Sequence, residues 1–295
     1  MIVTQNAPSK TFFLEPGLHL LATPIGSSGD ITLRGVHALS AADVLAAEDT
    51  RRLRKLMDIH GVALAGRPLI AYHDHNAQRA AERIKAYLED RKSVVYASDA
   101  GTPMIADPGY RLAALTREIG AKVHQLPGPS AVITALLASG LPTDSFVFAG
   151  FSPAKAHARQ KFFTQWASVP ATLVFFETAP RLLDSLRNLR EICGERQVAI
   201  ARELTKRFEE IIRGETTEVI DLLTARESVK GEVVVLVDRG RAADRFEENL
   251  DPWISEELKT RSVKDVARII AEQTGISRKT VYMRAVELSR RQADQ

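Results

Sequence analysis

The chain has 295 residues, of which 45% are hydrophobic and 26% charged, an ordinary composition for a globular protein. Its single cysteine, Cys193, excludes an intrachain disulfide and a metal cage built from cysteines. The net charge is only +3, but basic residues cluster at 51–55, 155–161 and 277–284, a pattern typical either of solvated faces or of a surface for a polyanion. The sequence lacks both an apolar run long enough to span a bilayer and a signal-peptide pattern. It therefore predicts a cytoplasmic protein without membrane contact, whose residues 1–16 are a flexible extension.

From Gly17 to about Val237, short apolar runs alternate with longer amphipathic ones. Strands are predicted at 18–23, 43–48, 68–72, 93–98 and 122–126, and a helix over 76–90. This order is typical of βαβ units, so we expect a mostly parallel sheet covered by helices. The turn LPGPS at 126–130 then separates an N-terminal α/β domain, 17–128, from a second α/β domain, 129–240.

The second domain continues with five apolar runs, at 145–151, 171–177, 197–203, 207–214 and 231–237. Helices are predicted between them at 181–192 and 216–223. The run at 207–214 alternates and follows its predecessor closely, which indicates antiparallel pairing. The second sheet is therefore expected to be mixed.

The C-terminal part is predicted to consist of a charged linker, 238–252, and a separate helical unit, 253–295. Ser262 and Ser277 are suited to cap two helices with apolar faces. The spacing of Ala271, Gly275 and Val281 resembles a helix-turn-helix. Such a unit is typical either of a nucleic-acid reader or of a two-helix packing module.

Two strand-end loops are built for close approach of a ligand, because open α/β sheets bind ligands beyond the carboxyl ends of their strands. TPIGSSGD, at 23–30, lacks both common phosphate-binding glycine patterns, so it does not predict a nucleotide-phosphate cradle. SDAGTPMIADPG, at 98–109, combines a permissive Gly101 with two stiffening prolines. Its Asp99 carboxylate suits a ribose hydroxyl or an ammonium group.

Seven segments in order carry a more specific signal: LLATPIGSSGDITLRGVHALSAADVLAAEDTRRLRKLM, HDHN, SDAGTPMIADPGYRL, LPGPSAVITALLASGLP, FETAPRLLDSL, ARELTKRFEEIIRG and KGEVVVLV. Together they span about Leu18 to Val237 and resemble the ribosomal RNA small subunit methyltransferase I family, a branch of the tetrapyrrole-methylase superfamily. SDAGTP with AEDTR distinguishes this branch from the tetrapyrrole enzymes.

The resemblance implies two α/β domains of the tetrapyrrole-methylase type and S-adenosylmethionine as methyl donor. It also implies a cytidine ribose 2′-hydroxyl in the decoding region of 16S rRNA, within the small ribosomal subunit, as acceptor, and a homodimer. The cofactor residues that it implies are Pro24, Asp99, Gly101, Thr102, Ile105, Ser130, Ala131, Phe176, Leu204 and Glu232.

Methyl transfer from a sulfonium to a hydroxyl requires alignment of the two groups and is helped by a nearby base or cation. Polar clusters at strand ends supply the catalytic candidates Glu48, Asp49, Arg51, His73 and Lys206, and the sequence does not single out the base. Glu48 and Asp49 with Arg51 could equally form a helix-capping ion pair. His73 and His75 point the same way on an extended segment, but no further cysteine–histidine cluster accompanies them, so no metal site is predicted.

The expected RNA contacts are Arg51, Arg52, Arg54, Lys55, Lys155, Arg159, Lys161, Arg278, Lys279 and Arg284. RNA in this setting is read through shape, phosphates and splayed bases. Two other functions are compatible with parts of the pattern: a small-molecule methylase acting on a tetrapyrrole, and a non-catalytic RNA- or DNA-binding regulator. The basic segments and the tail argue against the first, and the intact cofactor loop argues against the second.

Overall fold

The computed structural model describes residues 13–73, 75–105, 109–239, 242–274 and 277–293. Its first domain alternates strands and helices: β1 (Gly17–Leu21), α1 (Leu33–Ala41), β2 (Val44–Ala47), α2 (Thr50–Ile59), β3 (Leu69–Ala71), α3 (Ala77–Glu89), β4 (Ser93–Ala97), α4 (Gly109–Glu118) and β5 (Val123–Leu126). The strands pair in parallel in the order β3-β2-β4-β1-β5. The predicted parallel sheet is therefore confirmed.

Side chains alternate across this sheet and bury both of its faces. Leu45 and Val95 point to the face that packs against Leu39, Leu53 and Met57 of α1 and α2. Their strand neighbours point to the other face, where α3 and α4 cover them. Burial on both faces explains why these strands are apolar throughout instead of alternating with polar residues.

The second domain contains α5 (Ala131–Ser139), β6 (Phe146–Phe151), α6 (Ala156–Ala167), β7 (Thr172–Thr178), α7 (Leu182–Cys193), β8 (Gln197–Arg202), β9 (Glu210–Glu215), α8 (Thr216–Thr224) and β10 (Glu232–Val237). The strand order is β6-β7-β10-β8-β9. The β6–β7 pair is parallel and the other three pairs are antiparallel. The mixed sheet predicted from the sequence is confirmed.

One predicted strand begins later than its pattern indicates. β9 starts at Glu210, not at 207, because the preceding segment forms a tight turn. Within this turn Glu203 and Thr205 adopt φ values of 51° and 59°, which non-glycine residues rarely do. Residues 207–209, which continue the alternating pattern of the predicted strand, therefore belong to a turn that borders the domain junction.

The segment predicted as a charged linker is mostly helical, which corrects that expectation. Helix α9 runs from Ala242 to Leu258, through Pro252, and packs with α10 (Val263–Thr274) and α11 (Arg278–Ala293). Leu250 and Ile254 of α9 are buried against α10 and α11. Their helical spacing was hidden in the sequence by the charges around them. The predicted turn residue Gly275 lies outside the described residues.

Other expectations for the chain ends are met in part. Ser262 and Ser277 accept hydrogen bonds from the backbone of Asp265 and Thr280 and so cap α10 and α11, as predicted. Residues 1–12 of the predicted extension are outside the described residues, whereas Leu14 is buried in the first domain's core. Within the described ranges, no helix has the length and apolar character needed to cross a membrane.

Candidate functional site

A cavity of about 690 Å³ lies between the two domains, at the carboxyl end of β4. Its walls come from the loop after β4, the start of α5, the ends of β6 and β7, and the segment that leads into β10. Nine of the ten residues expected to bind the cofactor line it: Asp99, Gly101, Thr102, Ile105, Ser130, Ala131, Phe176, Leu204 and Glu232. The tenth, Pro24, lines an adjoining crevice of about 180 Å³ that shares Arg52, Ser98 and Asp99 with the cavity.

The loop after β4 is tied to the loop after β1. Thr23 and Gly101 exchange two backbone hydrogen bonds, of 2.9 and 3.0 Å, and the Ser98 hydroxyl donates to the Gly101 carbonyl at 2.7 Å. Gly101 has a φ of +75°, where side chains are strained, and a Cβ there would lie 3.4 Å from Ile25. The glycine in this loop therefore serves a backbone conformation that shapes the cavity wall.

Asp99 joins this loop to the start of α2. Its Oδ1 accepts a hydrogen bond from the Asp49 amide at 2.8 Å, and its Oδ2 lies 3.4 Å from Arg52. The carboxylate side chain remains 28% exposed, on the cavity wall. Asp99 therefore has exposed surface facing the cavity while its position is fixed from behind by α2.

Asp49 and Arg51 form the helix-capping pair that the sequence left as one of two interpretations. The Asp49 carboxylate accepts hydrogen bonds from the Arg51 guanidinium and from its amide, which caps α2. These bonds hold the pKa of Asp49 well below its ordinary value, and a carboxylate so stabilised is a poor proton acceptor. Neither side chain lines the cavity, whereas the preceding residue, Glu48, does.

His73 is not among the residues that line the cavity. Its backbone amide donates to Asn76 at the start of α3, and its ring lies 6.0 Å from that of His75. Asp74, which stands between the two histidines, lies outside the described residues. In the part of the chain that the structure describes, no group of three or more histidine, cysteine or acidic side chains is arranged to hold a metal ion.

Lys206 is held between two carboxylates. Its Nζ lies 2.9 Å from Glu203 and 2.9 Å from Glu232. Partial burial opposes the charge, but the hydrogen bonds to the two carboxylates outweigh it and raise the pKa of Lys206. A lysine that stays protonated cannot serve as a general base. Its observed role is to hold the turn containing Leu204 beside the start of β10.

Glu177 is a cavity residue that the sequence reasoning did not single out. Its side chain is fully buried, the Ser152 and Ser185 hydroxyls donate to Oε2, and Arg181 donates to Oε1 at 2.9 Å. The two serines lie 25 positions before it and 8 after it, so no local pattern brings the three together. Glu177 joins β7 to α7 and to the end of β6, beside the cavity.

Of the ten basic residues expected to contact RNA, eight are exposed and two, Arg159 and Arg284, are not. The exposed group comprises Arg51, Arg52, Arg54, Lys55, Lys155, Lys161, Arg278 and Lys279. Arg159 is only 4% exposed and bonds Asn188, because it lies one helical turn before the buried Phe163; its expected surface position is wrong. Arg284 is half-buried and paired with Asp251 and Glu287, so its charge holds α11 to α9.

The fold is shared with several solved structures of low sequence identity. The match to the methyltransferase CobJ covers 76% of this chain and 94% of CobJ, with a TM-score of 0.59 and 18% identity. A second match is uroporphyrin-III C-methyl transferase from Thermus thermophilus, complexed with S-adenyl homocysteine. It covers 76% of this chain and 98% of that enzyme, with a TM-score of 0.53 and 18% identity. At this identity the likeness concerns the fold alone.

Similarity in sequence is more specific. Residues 17–220 match the family model of the tetrapyrrole (corrin/porphyrin) methylases, and residues 245–289 match that of the RsmI C-terminal HTH domain. A ribosomal RNA small subunit methyltransferase I from Mesorhizobium japonicum is 44% identical over 276 residues, 93% of each chain. Its counterpart from Escherichia coli O157:H7 is 40% identical over 279 residues, 92% of this chain and 94% of the relative. The resemblance noted in the motifs thus extends over nearly the whole length, and the chain belongs to the ribosomal RNA small subunit methyltransferase I family.

Proposed function

We propose that this chain transfers a methyl group from S-adenosylmethionine to the ribose 2′-hydroxyl of a cytidine in the decoding region of 16S rRNA. The observation that carries the proposal is the convergence of nine expected cofactor residues, from loops far apart in the sequence, on one cavity. The curated relatives, whose names describe small-subunit rRNA methyltransferases, support the acceptor.

The cavity suits S-adenosylmethionine in size and in chemistry. Ala131, Ala201, Leu204 and Val234 form an apolar wall against which a purine can pack, and the Asp99 carboxylate offers an acceptor for hydroxyl or ammonium groups. When bound, S-adenosylmethionine supplies a methyl group already activated on a sulfonium. The related fold from Thermus thermophilus, complexed with S-adenyl homocysteine, supports the same cofactor class.

The residues of this chain then have to orient the acceptor, exclude water and take up a proton. Glu48 is the catalytic candidate that lines the cavity, so we assign it the proton of the 2′-hydroxyl. Asp49 and Arg51 position α2, and Lys206 positions the turn at Leu204. Alignment of acceptor and donor supplies much of the remaining acceleration in a displacement of this kind.

The exposed basic side chains of α2, with Lys155, Lys161, Arg278 and Lys279, provide cations for the phosphates of a folded RNA. A homodimer accounts for Leu33 on α1 and Leu137 on α5, each 80% exposed. An rRNA substrate supports a cytoplasmic location. A tetrapyrrole acceptor is supported by the shared fold and by the tetrapyrrole-methylase family model over residues 17–220. It is the weaker candidate, because CobJ and the Thermus thermophilus enzyme are only 18% identical to this chain, against 40% and 44% for the two small-subunit rRNA methyltransferases.

The test is nucleoside mass spectrometry. Small subunits from a strain that lacks the modification are incubated with the enzyme and labelled S-adenosylmethionine, in parallel with a tetrapyrrole. We expect label on a cytidine ribose and resistance of the adjacent phosphodiester to alkali. Label on a base, or on the tetrapyrrole instead of the RNA, would contradict the proposal.

A further inference from the structure

A second cavity, of about 360 Å³, adjoins the proposed cofactor cavity on the second domain. The two share the segment Val229–Gly231 as a wall. The second cavity is otherwise lined by Arg202, Glu203, Phe208, Arg226 and Ser228. None of these residues belongs to the expected catalytic, cofactor or RNA-binding sets.

Phe208 is the feature that sets this cavity apart. Its side chain is 65% exposed, on the turn between β8 and β9, although phenylalanine is among the residues most often buried in folded proteins. The Arg207 guanidinium lies 5.5 Å from the ring centroid. An exposed aromatic ring next to cations is the arrangement on which proteins stack the unpaired bases of single-stranded nucleic acid.

The charges around Phe208 suit a phosphate. Arg202 and Arg226 share one carboxylate, Glu210, at 3.2 and 2.7 Å, so two guanidinium groups are fixed in place with one positive charge in excess. Lys230 adds an exposed ammonium group, and within the described residues it takes part in no ion pair. The Glu203 carboxylate at the cavity's edge is already engaged by Lys206 and by the Glu232 amide.

We propose that this cavity binds a nucleotide of single-stranded RNA that neighbours the methylated one. Its base stacks on Phe208 and its phosphate faces Arg226 and Lys230. The shared wall at Val229–Gly231 places this nucleotide next to the cavity where methyl transfer takes place. This inference rests on the proposed function, because it takes the RNA to be the methyl acceptor.

The main test compares Phe208→Ala with the unaltered protein. The binding affinity for unmodified small subunits is measured together with that for S-adenosylmethionine, by calorimetry, and kcat is measured at saturating subunits. Loss of one stacked base should weaken subunit binding about 5- to 150-fold and leave the cofactor affinity and kcat unchanged. Phe146→Ala, which removes another partly exposed ring, 41% exposed and outside both cavities, is the matched control.

The phosphate contact has its own measurement. Lys230→Gln should weaken subunit binding and reduce the slope of log affinity against log salt by about 0.7, as expected for one lost contact to a single strand. Lys85→Gln on α3, a surface lysine paired with Glu89, is the control and should leave the slope unchanged.

Two results would overturn the inference. One is subunit affinity in Phe208→Ala equal to that of the unaltered protein. The other is dissociation of a dimer by this substitution in sedimentation, with RNA affinity per protomer unchanged, which would make the surface an interface between copies. Failure of the proposed function looks different, because the unaltered protein itself would then place no label on a cytidine ribose in the nucleoside assay.

Discussion

Neighbouring residues of the same chemistry have different surroundings at the end of β2. Glu48 lines the cavity, whereas Asp49 caps α2 and is bonded to Arg51. The backbone bends at these two residues, so one of them contributes to the cavity wall and the other caps the helix. This pair allows the catalytic assignment to be tested within two positions of the chain.

Replacing Glu48 by glutamine keeps the shape of the side chain and removes the base. We expect kcat to fall by about 10²- to 10⁴-fold, the usual range for a general acid or base, while S-adenosylmethionine binding is unchanged. Asp49→Asn is the control, since asparagine also caps helices well. Single-turnover experiments measure the rate constant of methyl transfer in both variants. Equal rate constants in the two variants would remove Glu48 from the mechanism.

Gly101 provides a second test at a single position. Gly101→Ala places a side chain at a φ of +75°, at a cost of about 1–2 kcal/mol of folding free energy. Relaxation of that strain would shift the loop and weaken S-adenosylmethionine binding about tenfold. Gly66→Ala introduces the same strain at φ +73°, far from other atoms, and should lose stability but not affinity. Calorimetry and thermal unfolding of both variants distinguish a cofactor loop from an ordinary turn.

Glycine, proline and carboxylate positions at strand ends are local signals, and they predicted the loops at 23–30 and 98–109. The other expected cofactor residues came from the resemblance to the family and not from such signals. The sequence did not predict Glu177 or Phe208. The first depends on Ser152 and Ser185, which reach it only through the packing of β6 and α7. The second is distinguished by its exposure, and exposure depends on the turn that delays β9. Arg159 was misplaced because a basic residue within a basic run gives no sign of the helix face on which it lies.

At the scale of elements, strands were easier to predict than the boundary of the helical tail. Each buried strand is a continuous apolar run, whereas α9 carries few apolar residues among many charges and a proline. Its buried face was recognisable only once α10 and α11 were in place against it. The helical unit therefore includes α9, and any truncation has to respect that boundary.

Truncation after Arg239 removes α9, α10 and α11 together. Since these helices pack on one another, the two sheets should fold and bind S-adenosylmethionine as before. Binding to small subunits should weaken, and its salt slope should decrease by about 0.7 for each lost phosphate contact. Truncation at residue 253 is the comparison: it leaves Leu250 without the helices that bury it, and we expect aggregation. If the protein truncated after Arg239 binds small subunits as tightly as the full chain, the tail is a packing module.

The hairpin of β8 and β9 is joined to the segment after α8 by Glu210. Hydrogen bonds from Arg226, and then from Arg202, lower the pKa of Glu210 from 4.5 to about 2. The native state therefore favours the ionised form, and this stabilisation is present above pH 4.5 and lost as the pH falls towards 2. We expect Glu210→Gln to be less stable than the unaltered protein at neutral pH and to lose less stability over that window. Urea unfolding across the pH range measures the difference, with Glu89→Gln as a control for loss of a surface carboxylate.

On the scale of the whole molecule, the two domains meet closely beside the cavity. The Ser27 amide donates to the Thr205 hydroxyl at 3.0 Å, and Gly26 lies against the same turn. A Cβ on Gly26 would lie 2.6 Å from Lys206 and 2.7 Å from the Leu204 carbonyl. Glycine is therefore required here by the approach of the second domain.

Gly26→Ala should push the domains apart, at a cost of about 1–3 kcal/mol of folding free energy, and weaken cofactor binding because Leu204 moves with the turn. Gly29→Ala in the same loop meets only the Ser27 hydroxyl, at 3.7 Å, and should behave as the unaltered protein. Thermal unfolding and calorimetry test both variants. A Gly26→Ala protein with full cofactor affinity would mean that the cavity forms independently of this domain contact.

The register of β6 shifts between Phe148 and Phe151, beside Gly150 at φ +74°, at one edge of the second sheet. Bulges of this kind interrupt the row of free amides and carbonyls that another strand would need. The opposite edge, β9, carries charged residues, and the edge strands of the first sheet, β3 and β5, are only three and four residues long. Neither sheet therefore offers a long regular template for strand addition. Growth into fibrils by strand addition is therefore disfavoured, and we expect contacts between copies of the chain to come from side chains on helices and loops.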